Sequence, residues 1–353
     1  AAIVPWNSQM FLTATKLAPA LAMGNTVVIK CSELAPATMF EFAKLVEETG
    51  IPKGVVNVIT GFGDPCGKAL TSHKLVEKIA FTGGPETARH IIRNSSENLS
   101  EVSLELGGKS PCIVDSGVDI DKVAKRIVSG KFVNCGQTCI APDYIVVNQH
   151  VKSDLISAIK ENIIKTFGNK PIESESYGRI INTNNLIRLE NIIKDQVIEF
   201  GGKINMDKLY IEPTIIVDPQ IDSEIMKEEI FGPILPILSY ENESEIQNIL
   251  DTNPTPLAFY IFSKNQMFID NLIENNKFGG CVINDTLIHY INPNLPFGGI
   301  GDSGMGAYRG KFSFDTFSHQ KPVLRKKNMI DIPFRYGPYP KSFNFIRKIL
   351  EKI

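Results

Sequence analysis

No excess of charge marks this chain. Its 353 residues hold 37 Lys and Arg against 39 Asp and Glu, a formal net charge of -2, and without a basic field nucleic acid is excluded as a partner. Apolar segments are short. None approaches the roughly 18 residues that cross a bilayer. The fairly apolar start, up to Ala22, has no basic leader and is broken by Trp6, Asn7 and Gln9, which excludes a signal peptide. Cysteines are few and scattered: Cys31, Cys66, Cys112, Cys135, Cys139 and Cys281. That scatter argues against a disulfide framework and suits reduced thiols in a cytoplasmic enzyme. Cys135 and Cys139 have no second Cys/His pair at metal spacing, which excludes a zinc site. A G-x-G-x-x-G fingerprint is missing as well, because Gly61, Gly63 and Gly67 have the wrong last interval. There is no initiator Met, and the chain opens inside the strand-like Ala1–Val4, so an N-terminal portion is expected to precede it.

The chain is longer than one core of usual size, which predicts about two domains. Short β-branched runs alternate with helical spacing: strands at 25–30, 55–59, 76–81 and 102–106, helices at 35–50 and from Thr82 through Arg93. A second round follows, with strands at 110–114, 144–147, 211–217, 234–239, 259–262 and 280–284 and helices at 119–131, 151–166, 184–199 and 242–250. The alternation predicts an α/β fold with parallel sheets and helices on both faces. Phe312, Phe314 and Phe317 give partly alternating strand spacing, and a short basic helix is expected to close the chain after Pro333.

Two short segments carry chemistry. Cys135-Gly-Gln-Thr-Cys139 places thiols in a Gly-containing turn, and Glu105-Leu-Gly-Gly-Lys109 places a carboxylate before a Gly-Gly turn. A thiolate attacks carbonyl carbon well, and a carboxylate can serve as its base or activate water. A helix N-terminus or backbone amides would have to lower the thiol pKa. The plain readings are a buried structural Cys and a surface salt-bridging Glu.

Read together, these segments resemble signatures of the aldehyde dehydrogenase family. The run Lys131–Tyr144 is similar to the nucleophile segment of its class 3 and fatty-aldehyde branch, and there the second cysteine is the nucleophile, hence Cys139. The match at Glu105–Pro111 implies that Glu105 is the general base for deacylation. Pro5-Trp-Asn7 resembles the family's Pro-Trp-Asn, which implies that the Asn7 amide, with the Cys139 backbone N–H, forms an oxyanion hole. Lys30 and Glu33 match residues that hold the adenosine ribose, with Cys31 in place of the usual Pro. A carboxylate there disfavours a 2′-phosphate, so NAD is expected, with NADP also admitted. Phe81-Thr-Gly83-Gly84 resembles the loop before a pyrophosphate-facing helix. In Glu228–Pro233, Glu229 matches the residue on the nicotinamide ribose and Phe231 the one against the nicotinamide. Asn294–Gly299 resembles the substrate-tunnel loop, with Phe297 either lining the tunnel or in the core, and His289 reads as a hydrogen-bonded, non-catalytic histidine.

The resemblance spans essentially the whole chain. The first third is more like class 1 and 2 members, and the rest like class 3. It implies a Rossmann-like cofactor domain over 1–107, a second α/β catalytic domain over 108–306 and an oligomerisation strand with tail over 307–353. It further implies an apolar aliphatic or aromatic aldehyde as substrate and a homodimer formed through the strand at Phe312–His319. A cofactor-independent thiol esterase and an inactive fragment are the competing readings.

Overall fold

The computed structural model describes residues 1–327, 335–338 and 344–351. Fifteen strands occur among them: β1 (Ala2–Ile3), β2 (Val27–Lys30), β3 (Val56–Ile59), β4 (Lys78–Thr82), β5 (Glu101–Glu105), β6 (Pro111–Val114), β7 (Tyr144–Asn148), β8 (Ile198–Phe200), β9 (Ile204–Asn205), β10 (Tyr210–Ile211), β11 (Thr214–Val217), β12 (Ile234–Tyr240), β13 (Ala258–Phe262), β14 (Gly280–Ile283) and β15 (Gly304–Met305). Thirteen of them build two large sheets within the unit Ala1–Ser318, and β9 and β10 pair as a separate antiparallel ribbon.

The first sheet runs β3-β2-β1-β4-β5-β15, parallel except for the final short strand. Its side chains obey the period of two. Ala2 and Val4 of the opening segment pack with Leu12, Leu17 and Met39 on one face, while Ile3 packs with Ile79, Phe81, Ile91 and Leu104 on the other. Both faces are thereby buried, as a parallel sheet requires. Strand order reverses at the β1/β4 neighbours, and in such sheets ligands bind in the crevice outside the carboxyl ends of the strands at the reversal. β1 leads into Trp6 and Asn7, β2 ends on Lys30, β4 on Thr82 and β5 on Glu105, so these residues share one edge.

The second sheet runs β14-β13-β6-β7-β12-β11-β8, parallel apart from β8. Its central strands are continuous apolar runs because both faces are covered: Tyr144–Val147 and Ala258–Phe262 are fully buried. The helices Ile120–Phe132 and Lys152–Phe167 supply Ile127, Phe132, Leu155 and Ile159 to this core. Asp119 caps the first of them, its side chain accepting from the Lys122 N–H. Only Leu106–Ser110 separates β5 from β6, so the two sheets meet at the Gly107-Gly108 turn.

Three elements differ from expectation. The strand expected at 211–217 is broken at Glu212-Pro213, with β10 pairing to β9 and β11 to β12. The helix at 184–199 stops at Ile193, because residues beyond it are drawn into β8 and pair with β11 at the sheet edge. The expected strand at Phe312–His319 is instead a helix, Gly310–Thr316, started by the Ser313 hydroxyl accepting from the Arg309 N–H. Three aromatics within six residues are too few to separate period 2 from period 3.6.

The unit His319–Ile353 stands by itself. It contains the expected short helix, Asn344–Leu350, with Arg347 and Lys348 in its last turn. Pro333, Tyr339 and Pro340 lie outside the described residues.

Candidate active site

A cleft of about 280 Å³ opens where the two sheets meet. Asn7, Gly83, Gly84, Glu105, Cys139, Glu229 and Phe231 all line it. Lys30 and Glu33 stand one strand over, at the end of β2, where the buried Lys30 ammonium donates to the Glu33 carboxylate at 3.1 Å.

Cys139 reaches the cleft through a loop held by unusual backbone. Asn134, Cys135 and Gly136 are all left-handed, with φ of 50°, 58° and 74°. At Gly136 a Cβ would stand 2.2 Å from the Gly232 carbonyl oxygen, so only glycine lets the Cys135–Cys139 loop close on the Glu228–Pro233 segment. Gln137 pins the loop from inside. Its amide donates to the Asn134 and Arg179 carbonyls at 3.0 and 2.9 Å and accepts from the Ile181 N–H at 3.0 Å. Asn7 donates one amide N–H to the Gln137 carbonyl at 3.0 Å, which ties the end of the first sheet to this loop. The amide has two N–H groups, so a second donor remains.

Glu105 is 3% exposed, and its two oxygens have different surroundings. Oε1 faces Cys139 Sγ at 3.9 Å. Oε2 accepts from the Thr82 hydroxyl at 2.8 Å and from the Tyr308 hydroxyl, with the Lys16 ammonium 3.6 Å away. Lys16 in turn donates to Thr82 at 2.6 Å and lies over the Tyr308 ring. The surroundings of Cys139 do not give the lowered pKa that a resting thiolate would need. Burial, and then the carboxylates of Glu105 and Glu229, push the thiol well above its ordinary value. The Cys139 backbone N–H and the Lys16 ammonium pull the other way, and a carboxylate oxygen stands beside the sulfur.

Glu229 lies against the Gly107 backbone, where a Cβ would stand 1.9 Å from its carboxylate. Burial, and then the Asp143 carboxylate, push Glu229 up to about 8. Asp143 is a buried node under both motifs. It pairs with Lys109 at 2.7 Å and Lys131 at 3.5 Å and accepts from the Ile230 N–H. Lys109 also donates to the Glu228 carbonyl at 2.9 Å. Phe231 meets Trp6 edge-on at 5.7 Å, which closes one wall.

These walls fit a dinucleotide. The helix Pro85–Ser95 begins at Gly84, which has no side-chain cap, so its first N–H groups are open to an anion. Gly83 would clash with Phe81 if it carried a Cβ, which keeps the approach to that helix narrow and free of side chain.

Comparison with known proteins settles the class. The model of the aldehyde dehydrogenase family matches residues 1–323. The chain belongs to that family. It is 41% identical over 347 residues to 4,4'-diaponeurosporen-aldehyde dehydrogenase of Staphylococcus aureus, covering 98% of this chain and 75% of that one. Aldehyde dehydrogenase family 3 member A2 of Mus musculus is 41% identical over 339 residues, 96% of this chain and 69% of the mouse protein. Among solved structures, Staphylococcus aureus AldH in its substrate-bound state superposes with a TM-score of 0.92 at 40% identity, covering 99% of this chain and 76% of that one. Betaine aldehyde dehydrogenase of the same species, in complex with NAD+, gives 0.83 at 32% identity over 90% of this chain and 64% of that one. This is an NAD(P)-dependent aldehyde dehydrogenase, with the Rossmann-like and catalytic α/β architecture of its family.

Several site residues carried no sequence signal of their own. Thr82 and Asp143 fall inside recognisable motifs, yet nothing in the motif states what they touch. Lys16 left a trace: it occupies the apolar stripe of the helix Gln9–Ala22, between Leu12, Thr13, Leu17 and Ala20. A lysine in such a stripe must be paired or charge-neutral. Tyr308 left none. Phe297 lies in the core, 5% exposed, and His289 is buried beside it, pushed down to about 4 by burial. Among the described residues no helix is long and apolar enough to cross a membrane.

Proposed function

We propose that Cys139 is the nucleophile of this dehydrogenase, Glu105 its base and Asn7 its oxyanion donor. The observation that carries this reading is the 3.9 Å approach of Cys139 Sγ to Glu105 Oε1 in the cleft that Asn7 also lines. Glu105 Oε1 takes the thiol proton as sulfur attacks the aldehyde carbon. The free Asn7 N–H and the Cys139 backbone N–H stabilise the resulting oxyanion. When bound, NAD would supply the acceptor for the hydride lost from the Cys139 thiohemiacetal, leaving a Cys139 thioester. Glu105 then deprotonates the water that releases the acid, while Thr82, Tyr308 and Lys16 hold its other oxygen.

For the cofactor, the open N–H groups behind Gly83 and Gly84 take the pyrophosphate, Lys30 and Glu33 the adenosine ribose, and Glu229 and Phe231 the nicotinamide end. The Glu33 carboxylate sets a preference for NAD over NADP. The substrate has an apolar body, supported by the exposed Met10, Phe11, Ile288 and Ile291 and by the edge-on contact of Phe11 with Tyr290. The working division is a cofactor domain over 1–107 and a catalytic domain over 108–306, with an oligomerisation segment following. The protein acts as a cytoplasmic homodimer, for which the unpaired cysteines and the exposed Phe312 and Phe314 give support.

A panel of aliphatic and aromatic aldehydes, followed at the NADH absorbance with NAD and NADP in parallel, tests this. Turnover must vanish in Cys139→Ala; retained turnover sinks the assignment. Light scattering reads the oligomeric state, and fractionation the compartment.

A further inference from the structure

Arg309 is a cation without an anion. Its Nε and Nη2 atoms are buried and have no hydrogen-bond partner among the described residues. The guanidinium sits among rings instead: its Cζ is 4.6 Å from the Phe11 centroid, 5.4 Å from that of Tyr308 and 5.7 Å from that of Phe297. The nearest catalytic carboxylate, Glu105, is already engaged by Lys16, Thr82 and Tyr308. Arg309 and Lys16 are close enough that the arginine's charge opposes protonation of the lysine. Of these two cations, only Lys16 pairs with that carboxylate. The backbone of Arg309 is also held at φ 102°, a conformation that L-residues rarely adopt. Aromatic faces offset part of a desolvated cation's cost, but they do not satisfy its N–H groups.

The position matters as much as the charge. Tyr308 donates to Glu105 through its hydroxyl and receives Arg309 on its ring, so one tyrosine separates the guanidinium from the base beside Cys139. Phe11, the ring nearest to Arg309, is an exposed apolar side chain, and its neighbour Leu12 lines the cleft. A ligand that satisfies everything here has an aldehyde at one end, an apolar chain along Phe11, and a carboxylate that takes the planar fork of Arg309.

We propose that Arg309 is a specificity-determining residue that selects aldehydes carrying a carboxylate at the far end of an apolar chain, the ω-oxo acids. The proposal rests on the assignment of Cys139 as the attacking group.

The test compares succinate, adipate and suberate semialdehydes with butanal, hexanal and octanal, using the unchanged protein, NAD and the NADH absorbance. At the best chain length kcat/KM is expected to favour the acid by at least about tenfold, which is about 1.4 kcal/mol. Salt should raise KM for the acid far more than for the alkanal. In Arg309→Gln the acid-to-alkanal ratio should collapse toward unity, mostly through KM; Arg309→Lys should keep part of it. Adipate should compete with substrate better than hexanoate in the unchanged protein, a measurement that needs no variant to fold. Equal kcat/KM at every length, or an Arg309→Gln change that lowers both series alike, overturns the proposal and leaves Arg309 as packing for Phe11. Absence of NADH with every aldehyde sinks the Cys139 assignment and this proposal with it, whereas good alkanal turnover without acid preference sinks only this one.

Discussion

Replacing Glu105 by Gln should destabilise the protein in a way that depends on pH and is relieved by a second change. Glu105 and Lys16 are 3% and 2% exposed and 3.6 Å apart. Removing one partner of such a buried pair leaves the other charge uncompensated, at a cost of about 3–5 kcal/mol. With an unfolding entropy of about 2.1 cal/mol/K per residue, a chain of this size has roughly 0.7 kcal/mol/K in all, so the midpoint should fall by about 4–7 °C. The sign with pH follows from Lys16. Burial already holds it below its ordinary value, while the Glu105 carboxylate pulls it back up. In the Gln variant that pull is gone, so the unfolded chain binds the Lys16 proton better than the fold does, and stability rises with pH. The deficit should be largest in neutral buffer and shrink toward about pH 10, the range of a free lysine. Lys16→Met in the same background removes the orphaned cation and should restore most of the midpoint. Scanning calorimetry of the three proteins across pH reads all of this. A midpoint that does not move, a deficit constant with pH, or no relief from Lys16→Met would refute the account of the cage.

Three further outcomes are expected. Gly136→Ala should lose stability by about 1–3 kcal/mol from its left-handed backbone alone, and more because the new Cβ meets the Gly232 carbonyl at 2.2 Å. Gly84→Ala, whose Cβ meets nothing within 4 Å, should be nearly neutral, and denaturant midpoints compare the two. NAD should bind more tightly as pH rises through about 8, where Glu229 ionises and accepts more strongly from a ribose hydroxyl. Lys131, pushed down to about 8 by burial, titrates in the same window, so calorimetric titration of Glu229→Gln separates the two: a flat profile assigns the dependence to Glu229. Asp143→Asn should raise KM for NAD and lower the melting point together, because Lys109 and Lys131 lose their shared negative charge and the Ile230 N–H one of its two acceptor oxygens; an unchanged KM would show that the Glu228–Ile230 backbone is held by Lys109 and by Arg188, which donates to the Glu229 and Ile230 carbonyls.

Much of this was legible in the sequence because the chemistry lies in contiguous segments. Cys139, Glu105, Glu229 and Phe231 each stand in a motif whose neighbours are also the glycines that let the segments touch: Gly136 on Gly232, and Gly107 on Glu229. The alternation of strands and helices was legible for a related reason. Buried parallel strands are written as apolar runs such as Tyr144–Val147 and Ala258–Phe262. Elements decided by tertiary pairing were not legible. Residues just after Ile193 keep helical spacing yet become an edge strand because β11 offers a partner. Gly310–Thr316 becomes a helix whose start is held by the Arg309 N–H donating to the Ser313 hydroxyl, a contact that no apolar pattern announces. The raised thiol at Cys139 was equally hidden, since it depends on burial and on two carboxylates that lie 34 and 90 positions away in the chain.

The groups that escaped the sequence are those that decide what Glu105 can do. Alone, a carboxylate at the end of a strand could turn either oxygen to the cleft. Here Thr82, Tyr308 and Lys16, at sequence separations of 23, 203 and 89, all converge on Oε2, and that leaves Oε1 as the oxygen presented to Cys139. A base must release the proton it takes and must not wander from the sulfur between the two half-reactions. A three-sided hold on the far oxygen fixes the orientation, and the lysine offsets the charge of a carboxylate that water scarcely reaches. The same logic places Arg309 outside the cage: Tyr308 uses its hydroxyl on Glu105 and its ring on the guanidinium, so nothing in the catalytic cluster neutralises that second cation. Among the described residues its Nε and Nη2 find no partner, and the far carboxylate of a substrate is the counterion we propose for it.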